Sequence, residues 1–218
     1  MKTALIFGSS GLIGSHLLDI ILQKNKYDKI KLFVRSLPEI YDSRVDIIQT
    51  NFTDIEKHKN LINGDDCFFC IGTTRKDTPN KKEYRRVEYE IPVNIAKIAK
   101  SNSVNSFIYV SSLGANSKSN GSYLKNKGQV EEELKKIGFS NLSIIQPSFL
   151  VGNRKDFRIV EVLGIPVMKF LSLFFFGGFK KYTPIKVEIV VNAMIKLASG
   201  NNSEQTYLSD RLQELGSN

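Results

Sequence analysis

The chain has 218 residues, 41% hydrophobic and 24% charged, with a formal net charge of +9. That length suits one well-cored domain, and the composition excludes a disordered or fibrous chain. No run of about 18 apolar residues reads as a membrane span. No groove-reading motif accompanies the scattered Lys and Arg, so nucleic-acid binding is not expected.

The first segment, "TALIF" (3–7), reads as a buried strand, and "LIGSHLLDIILQK" after it has helical periodicity. Its opening "MKTALIFG" carries no signal-peptide character, so a cytoplasmic location is the expectation. Strand-like "IKLFV" (30–34) and "VDIIQ" (45–49) follow, then a helical pattern through "TDIEKHKNLI". "CFFCI" (67–71) precedes a helix through "VEYEIPVNIAKIAKS", and "SFIYV" (106–110) precedes one through "YLKNKGQVEEELKKI". "LSIIQP" (142–147) is the sixth strand. Strands apolar along their length, alternating with helices, predict an α/β fold with a parallel sheet covered on both faces.

Beyond Pro147 the alternation loosens. Thr183 and Pro184 suit the N-cap and first position of a helix through "IKVEIVVNAMIKLAS", and a short "QTYLS" strand completes the elements. Residues 1–218 thus read as one domain, with a cofactor-binding core over 1–150 and a small substrate-covering part over 151–218. The apolar, aromatic stretch 167–179 has two readings. One is a helix over the substrate pocket or at a dimer contact, compatible with a monomer or a homodimer. The other is a membrane-surface helix.

Cys67 and Cys70 form a C-x-x-C inside the fourth strand. Residues three apart on a strand face opposite ways, so these are core cysteines rather than metal ligands or a disulfide. His16 and His58 are isolated, and no metal site is expected.

Function concentrates at the first strand–helix junction. "GSSGLIG" spaces glycines at Gly8, Gly11 and Gly14 between a strand and a helix. Such a turn lets backbone approach a pyrophosphate, which the helix N-terminus then favours electrostatically. Gly8, Ser9, Ser10, Gly11, Leu12 and Ile13 are expected to line the phosphates, with Gly14 permitting close helix–strand packing. At the end of the second strand, where an acid would bind a ribose 2′-hydroxyl, the chain has Arg35. A guanidinium there pairs with a 2′-phosphate, so NADP(H), with NADPH preferred over NADH, is the expected cofactor. Asn51 and Phe52 after the third strand, and Ile71, Gly72 and Thr73 after the fourth, are expected to contact it. Val110, Pro147 and Ser148, at the ends of the fifth and sixth strands, and Lys127, at the nicotinamide ribose, complete the set.

Tyr123 and Lys127 lie four residues apart on one predicted helix and share a face. An ammonium beside a phenol favours the phenolate and eases proton exchange with an alcohol or carbonyl. Ser111 or Ser112, at the carboxyl end of the fifth strand, can donate to the same substrate oxygen.

The glycine turn, the serine pair and Y-x-x-x-K together resemble the short-chain dehydrogenase/reductase superfamily over nearly the whole chain. "CIGTTRKD", "RRVEYEIPVNIAKIAK", "FIYVSSLGANSKS" and "IIQPSFLVGNR" look most like its atypical, Tat-interacting-protein-like branch. The resemblance implies a three-layer Rossmann fold, mainly parallel and doubly wound, with a small C-terminal elaboration. It also implies bound NADP(H), with Ser, Tyr and Lys in the usual places. The expected function is hydride transfer to or from a small carbonyl or alcohol. The alternatives are an NADP(H)-binding regulatory protein with little turnover and a nucleotide-sugar epimerase or dehydratase.

Overall fold

The computed structural model describes residues 1–152, 182–200, 202 and 204–217. The aromatic stretch 167–179 lies outside the described residues.

Seven strands form one sheet: β1 (Thr3–Phe7), β2 (Lys29–Val34), β3 (Val45–Gln49), β4 (Asp66–Phe69), β5 (Ser106–Val110), β6 (Asn141–Gln146) and β9 (Thr206–Leu208). Their order is β3-β2-β1-β4-β5-β6-β9, and every neighbouring pair is parallel. This is the doubly wound Rossmann arrangement. Because all strands run the same way, the segments following Phe7, Val34, Gln49, Phe69, Val110 and Gln146 gather along one edge. The order reverses between β1 and β4, and open α/β sheets bind ligands outside such a switch point.

Alternation along β1 shows how the two faces are filled. Ala4 and Ile6 point into one cluster, with Leu17 and Ile21 of α1 (Leu12–Lys24) and Val190, Val191 and Met194 of α5 (Val187–Ala198). Leu5 and Phe7 point into the other, with Ile95 and Ala96 of α3 (Ile91–Ser101) and Val130 and Leu134 of α4 (Ser122–Ile137). Phe7 stacks on Phe33 at 4.3 Å between ring centroids, tying β1 to β2 within this second cluster.

Several elements differ from the pattern-based expectation. Residues 53–62 form a 3-10 helix over Ile55–Leu61 instead of an α-helix. Within Ile55–Leu61 only Ile55 is buried, so that helix presents no apolar stripe to favour α-helical periodicity. The helix expected from Val87 begins earlier, as α2 (Lys81–Arg85), where the Asn80 side chain accepts from the amides of Lys82 and Glu83 at 2.9 and 3.0 Å. It then passes through a π turn over Arg86–Glu90, closed by the Ile91 amide donating to the Arg86 carbonyl. Pro92 supplies the reason: without an N–H it cannot bond the Glu88 carbonyl four residues back.

Thr183 and Pro184 do not start a helix. Ile185–Lys186 is instead a two-residue strand, β8, parallel to β7 (Leu150–Val151), and α5 begins at Val187 with Lys186 at its N-cap. The Ile185 amide donates to the Phe149 carbonyl, so tertiary pairing overrides the local capping signal. A final helix, α6 (Ser209–Gly216), was not foreseen and packs Leu212 into the α1–α5 cluster. Cys67 and Cys70 are free and join opposite clusters, as strand alternation requires. No described helix is long and apolar enough to cross a membrane.

Candidate cofactor and catalytic site

The glycine turn sits at the switch point. Gly8 has φ +91°, and a Cβ there would stand 2.8 Å from the Cys70 carbonyl carbon, so only glycine fits between β1 and the chain leaving β4. The Gly11 amide donates back to the Gly8 carbonyl at 3.1 Å. The first helical bond is Ser15 N–H to the Gly11 carbonyl at 2.9 Å. The amides of Leu12, Ile13 and Gly14 therefore precede the helix's own bonding and point outward. No acidic residue occupies the first turn of α1, and no side chain caps it. This is a backbone cradle with a positive helix end, and it fits the diphosphate of a dinucleotide. Ser9 is buried, Ser10 is exposed, and the Ile13 side chain belongs to the core, so Ile13 offers its amide alone.

Arg35 follows β2 directly and is exposed, with its carbonyl accepting from Gln49 Nε2 at 3.1 Å. Asn51 is exposed next to it, its Oδ1 taking the Thr53 amide at 2.9 Å. Phe52 adopts φ +63°, an uncommon state for a bulky residue, and buries its ring beside Phe7. Its side chain is thereby committed to the core, and only its backbone faces the edge.

On the other side of the switch point, Ile71 and Gly72 continue from β4. A Cβ on Gly72 would lie 3.4 Å from Glu88 Oε1 and 3.9 Å from Lys127 Nζ. The cofactor loop thus rests directly on the base of the Tyr–Lys pair. The Thr73 amide donates to Glu88 Oε1 at 2.5 Å, and the Thr73 hydroxyl pairs with that of Thr78 at 2.8 Å.

Tyr123 and Lys127 lie in the first two turns of α4. Tyr123 is 40% exposed and open to a substrate, whereas Lys127 is 4% exposed. Lys127 Nζ stands 6.0 Å from the Tyr123 ring centroid and 5.0 Å from that of Tyr109. It donates to the Val110 carbonyl at 3.2 Å and forms an ion pair with Glu88 Oε2 at 3.3 Å. Burial opposes the Lys127 charge, but the Glu88 carboxylate and the phenols of Tyr109 and Tyr123 outweigh it, so its pKa is raised and it stays an ammonium. Burial pushes the Cys70 thiol up to about 12, which keeps it protonated and inert beside the cradle.

The two serines part company. Ser111 is buried and donates its hydroxyl to Glu131 Oε1, and Gln146 Nε2 donates to both oxygens of that carboxylate at 2.8 and 3.0 Å. Burial raises the Glu131 pKa against the hydrogen bonds from these two residues. Ser112 is partly exposed, and its hydroxyl makes only a long 3.5 Å contact with the Leu113 carbonyl. Of the pair, Ser112 has a hydroxyl to offer a ligand. Pro147 accepts from the Leu113 amide at 3.2 Å. Ser148 bonds Ser209 through its amide at 2.7 Å and the Thr183 carbonyl through its hydroxyl, so it anchors the C-terminal part beside the site.

Sequence reasoning missed Glu88 and Glu131. The available signal was helical spacing: Glu88 lies between Tyr84 and Ile91, and Glu131 lies three residues before Leu134, at positions that face the core. It also missed Gly128, where a Cβ would stand 2.3 Å from the backbone of Asn116 and Ser117. That glycine lets the loop after β5 lie against α4 beside Tyr123. Among the described residues, no group of His, Cys, Asp and Glu could hold a metal ion.

The fold and cradle define an NAD(P)-binding Rossmann protein. The chain belongs to the NAD(P)H-binding family, whose model matches residues 8–164. Protein FMP52, mitochondrial, of Debaryomyces hansenii is 34% identical over 158 residues, covering 70% of this chain and 69% of that one. Protein HTATIP2 of Rattus norvegicus is 28% identical over 203 residues, covering 91% and 84%. The expected resemblance to the Tat-interacting-protein-like branch therefore holds. Among solved structures, a UDP-glucose 4-epimerase of Thermotoga maritima shares the fold at TM-score 0.71 and 16% identity, covering 98% of this chain and 81% of that one. A short-chain dehydrogenase/reductase of Veillonella parvula gives 0.64 and 18%, covering 94% and 88%.

These relatives correct the expected cytoplasmic location, since several fungal relatives are named as mitochondrial proteins. The expectation rested on the lack of signal-peptide character in "MKTALIFG", a segment the fold uses as β1 wherever the protein resides.

Proposed function

We propose that the protein is an NADP(H)-dependent oxidoreductase acting on a small carbonyl or alcohol. The observation that carries this reading is the placement of Lys127 Nζ beneath Gly72 and beside the Tyr123 ring. One helix thereby joins the cofactor loop to an exposed phenol. The backbone of Gly8–Gly14 would hold the pyrophosphate, and Arg35 would pair with the 2′-phosphate. Ile71, Gly72, Thr73 and Val110 would border the rest of the cofactor, with Asn51 and the Phe52 backbone at its adenine end and Pro147 and Ser148 near the nicotinamide. When bound, the nicotinamide supplies or accepts a hydride.

The chain's own part is the proton. The Tyr123 hydroxyl gives a proton to the substrate oxygen in reduction and takes it in oxidation, and the Lys127 ammonium stabilises the phenolate that results. Ser112 donates a hydrogen bond to the same oxygen and orients it. Ser111, named alongside it from sequence, supports the strand end through Glu131. The relatives' names state no activity, and the sugar epimerases share only the fold, so neither supplies a substrate.

The test is Tyr123→Phe assayed for NADPH oxidation across a panel of aldehydes and ketones, with NADPH binding followed by fluorescence. Turnover should disappear while affinity stays within about twofold of wild type, since the hydroxyl lies outside the cradle. Equal turnover in the variant would rule out Tyr123 as the proton donor, and binding by wild type with no turnover on any carbonyl would replace this reading with a regulatory NADP(H)-binding role.

A further inference from the structure

The proton-handling reading uses Tyr123, Lys127 and Ser112 and leaves a buried carboxylate beside them unexplained. Glu88 is 1% exposed, on the π turn that Pro92 forces into the third helical segment. Its Oε1 is fixed by the Thr73 amide at 2.5 Å, so the carboxylate cannot turn away. Its Oε2 is directed at Lys127 Nζ at 3.3 Å and has no hydrogen-bond partner. The hydroxyl of Tyr109, on the strand beneath, is buried against the same ammonium. A buried carboxylate is costly, and beside the Thr73 amide the charge that compensates it is the Lys127 ammonium.

We infer that Glu88 is a positioning residue for the Tyr123–Lys127 pair: its carboxylate holds the Lys127 ammonium under Gly72 and offsets part of the positive field reaching the Tyr123 hydroxyl. The inference rests on Tyr123 and Lys127 being the proton-handling pair. Other groups face Lys127 as well. Tyr109 comes from β5, Tyr123 and Glu131 from α4, Tyr84 from α2, and Cys70 from the chain after β4. Cys70 stays a thiol and the buried Tyr84 and Tyr109 are held above the usual phenol range, so they are neutral near neutral pH. Glu131 shares its charge with Ser111 and Gln146. Glu88 is the carboxylate in ion-pair contact with the ammonium.

The sign of the effect follows from electrostatics. A carboxylate disfavours a phenolate nearby, and an ammonium favours it. Glu88→Gln keeps the shape and an acceptor for Thr73 but removes the charge, so the phenol of Tyr123 should ionise at lower pH.

The experiment is a pH titration of the ligand-free protein labelled with ¹³C at the tyrosine ring Cζ, with the Tyr123 resonance assigned by its loss in Tyr123→Phe. It needs neither substrate nor cofactor. In Glu88→Gln the Tyr123 midpoint should move down by about 0.5–1 unit, and in Glu88→Asp, whose charge lies a methylene further back, by a smaller but measurable amount. A midpoint unmoved or raised in a folded Glu88→Gln protein would overturn the inference and leave Glu88 a structural ion-pair partner.

Glu88→Gln/Lys127→Met, with no charge left buried at this position, separates the two readings. If its Tyr123 midpoint lies above that of Glu88→Gln, Lys127 acts on Tyr123 as proposed. If the two coincide, the Tyr–Lys reading itself fails, and this inference with it. Should Glu88→Gln not fold, the same titration of Glu88→Asp decides. Moving the charge back by a methylene should shift the Tyr123 midpoint measurably, and an unchanged midpoint counts against the role.

Discussion

A Cβ on Gly14 would stand 2.1 Å from the carbonyl oxygen of Gly8, whereas one on Gly11 would meet the same oxygen at 3.4 Å. The three glycines of the turn therefore do different work. Gly14 lets the helix lie against the strand end, and Gly11 leaves the surface bare where a phosphate would approach. Gly14→Ala should cost about 1–3 kcal/mol, because backbone on both sides cannot retreat as a flexible side chain would. Gly11→Ala should keep the wild-type melting temperature and still weaken NADPH binding. Calorimetry and fluorescence titration of the two variants check this, and equal melting losses would contradict the division.

Ser111 and Ser112 are adjacent in sequence and opposite in commitment. Ser111→Ala removes one of the groups holding the buried Glu131 carboxylate and should cost about 1–3 kcal/mol of stability. Ser112→Ala should leave stability unchanged and, on any substrate found, lower turnover by about 10²–10³, as losing one donor to a reacting oxygen does. The reverse pattern in melting and kinetics would assign the substrate to Ser111.

In the proposed function Arg35 is the cation that would pair with a 2′-phosphate and so discriminate between cofactors. Arg35→Asp replaces attraction for a 2′-phosphate with repulsion. NADPH affinity should fall by about 10–100-fold, the worth of a charged hydrogen bond, while NADH affinity changes little. Parallel titrations with both cofactors measure the ratio, and an unchanged ratio would remove Arg35 from the site.

Glu131 makes stability depend on pH in a definite direction. Burial raises its folded pKa above the unfolded value despite Ser111 and Gln146. A carboxyl so shifted stabilises the fold fully below the unfolded pKa, near about 4.3, and that contribution is lost as pH rises through the folded one. Glu131→Gln removes the dependence. The melting-temperature difference between the variant and wild type should therefore grow in the variant's favour as pH rises from 4, then level off. Any steric offset of the glutamine is constant with pH and does not alter the trend.

Much of this was legible in the chain. The apolar runs at 3–7, 30–34 and 106–110 coincide with strands buried on both faces of the parallel sheet, whereas 45–49 is an edge strand legible from Val45, Ile47 and Ile48 alone. The cradle and the Tyr123–Lys127 pair were legible because each depends on local spacing. Glu88 was not. Its role arises from a π turn that brings the side chain inward and from a lysine 39 positions later, contacts no local period encodes. Ser111 and Ser112 could not be ranked for the same reason, since the choice is made by Glu131 on another element. The Thr183–Pro184 signal failed where an amide two residues on found a strand partner at Phe149.

The short pair between Leu150–Val151 and Ile185–Lys186 fixes two points of the chain side by side, about 4.8 Å apart as neighbouring strands are. Ile185 is buried in, and Leu150 packs against, the same cluster that holds Ala4 and Ile6. The pair is thereby riveted to the strand that carries the glycine turn, and the chain returns at Ile185 to the frame it left at Val151.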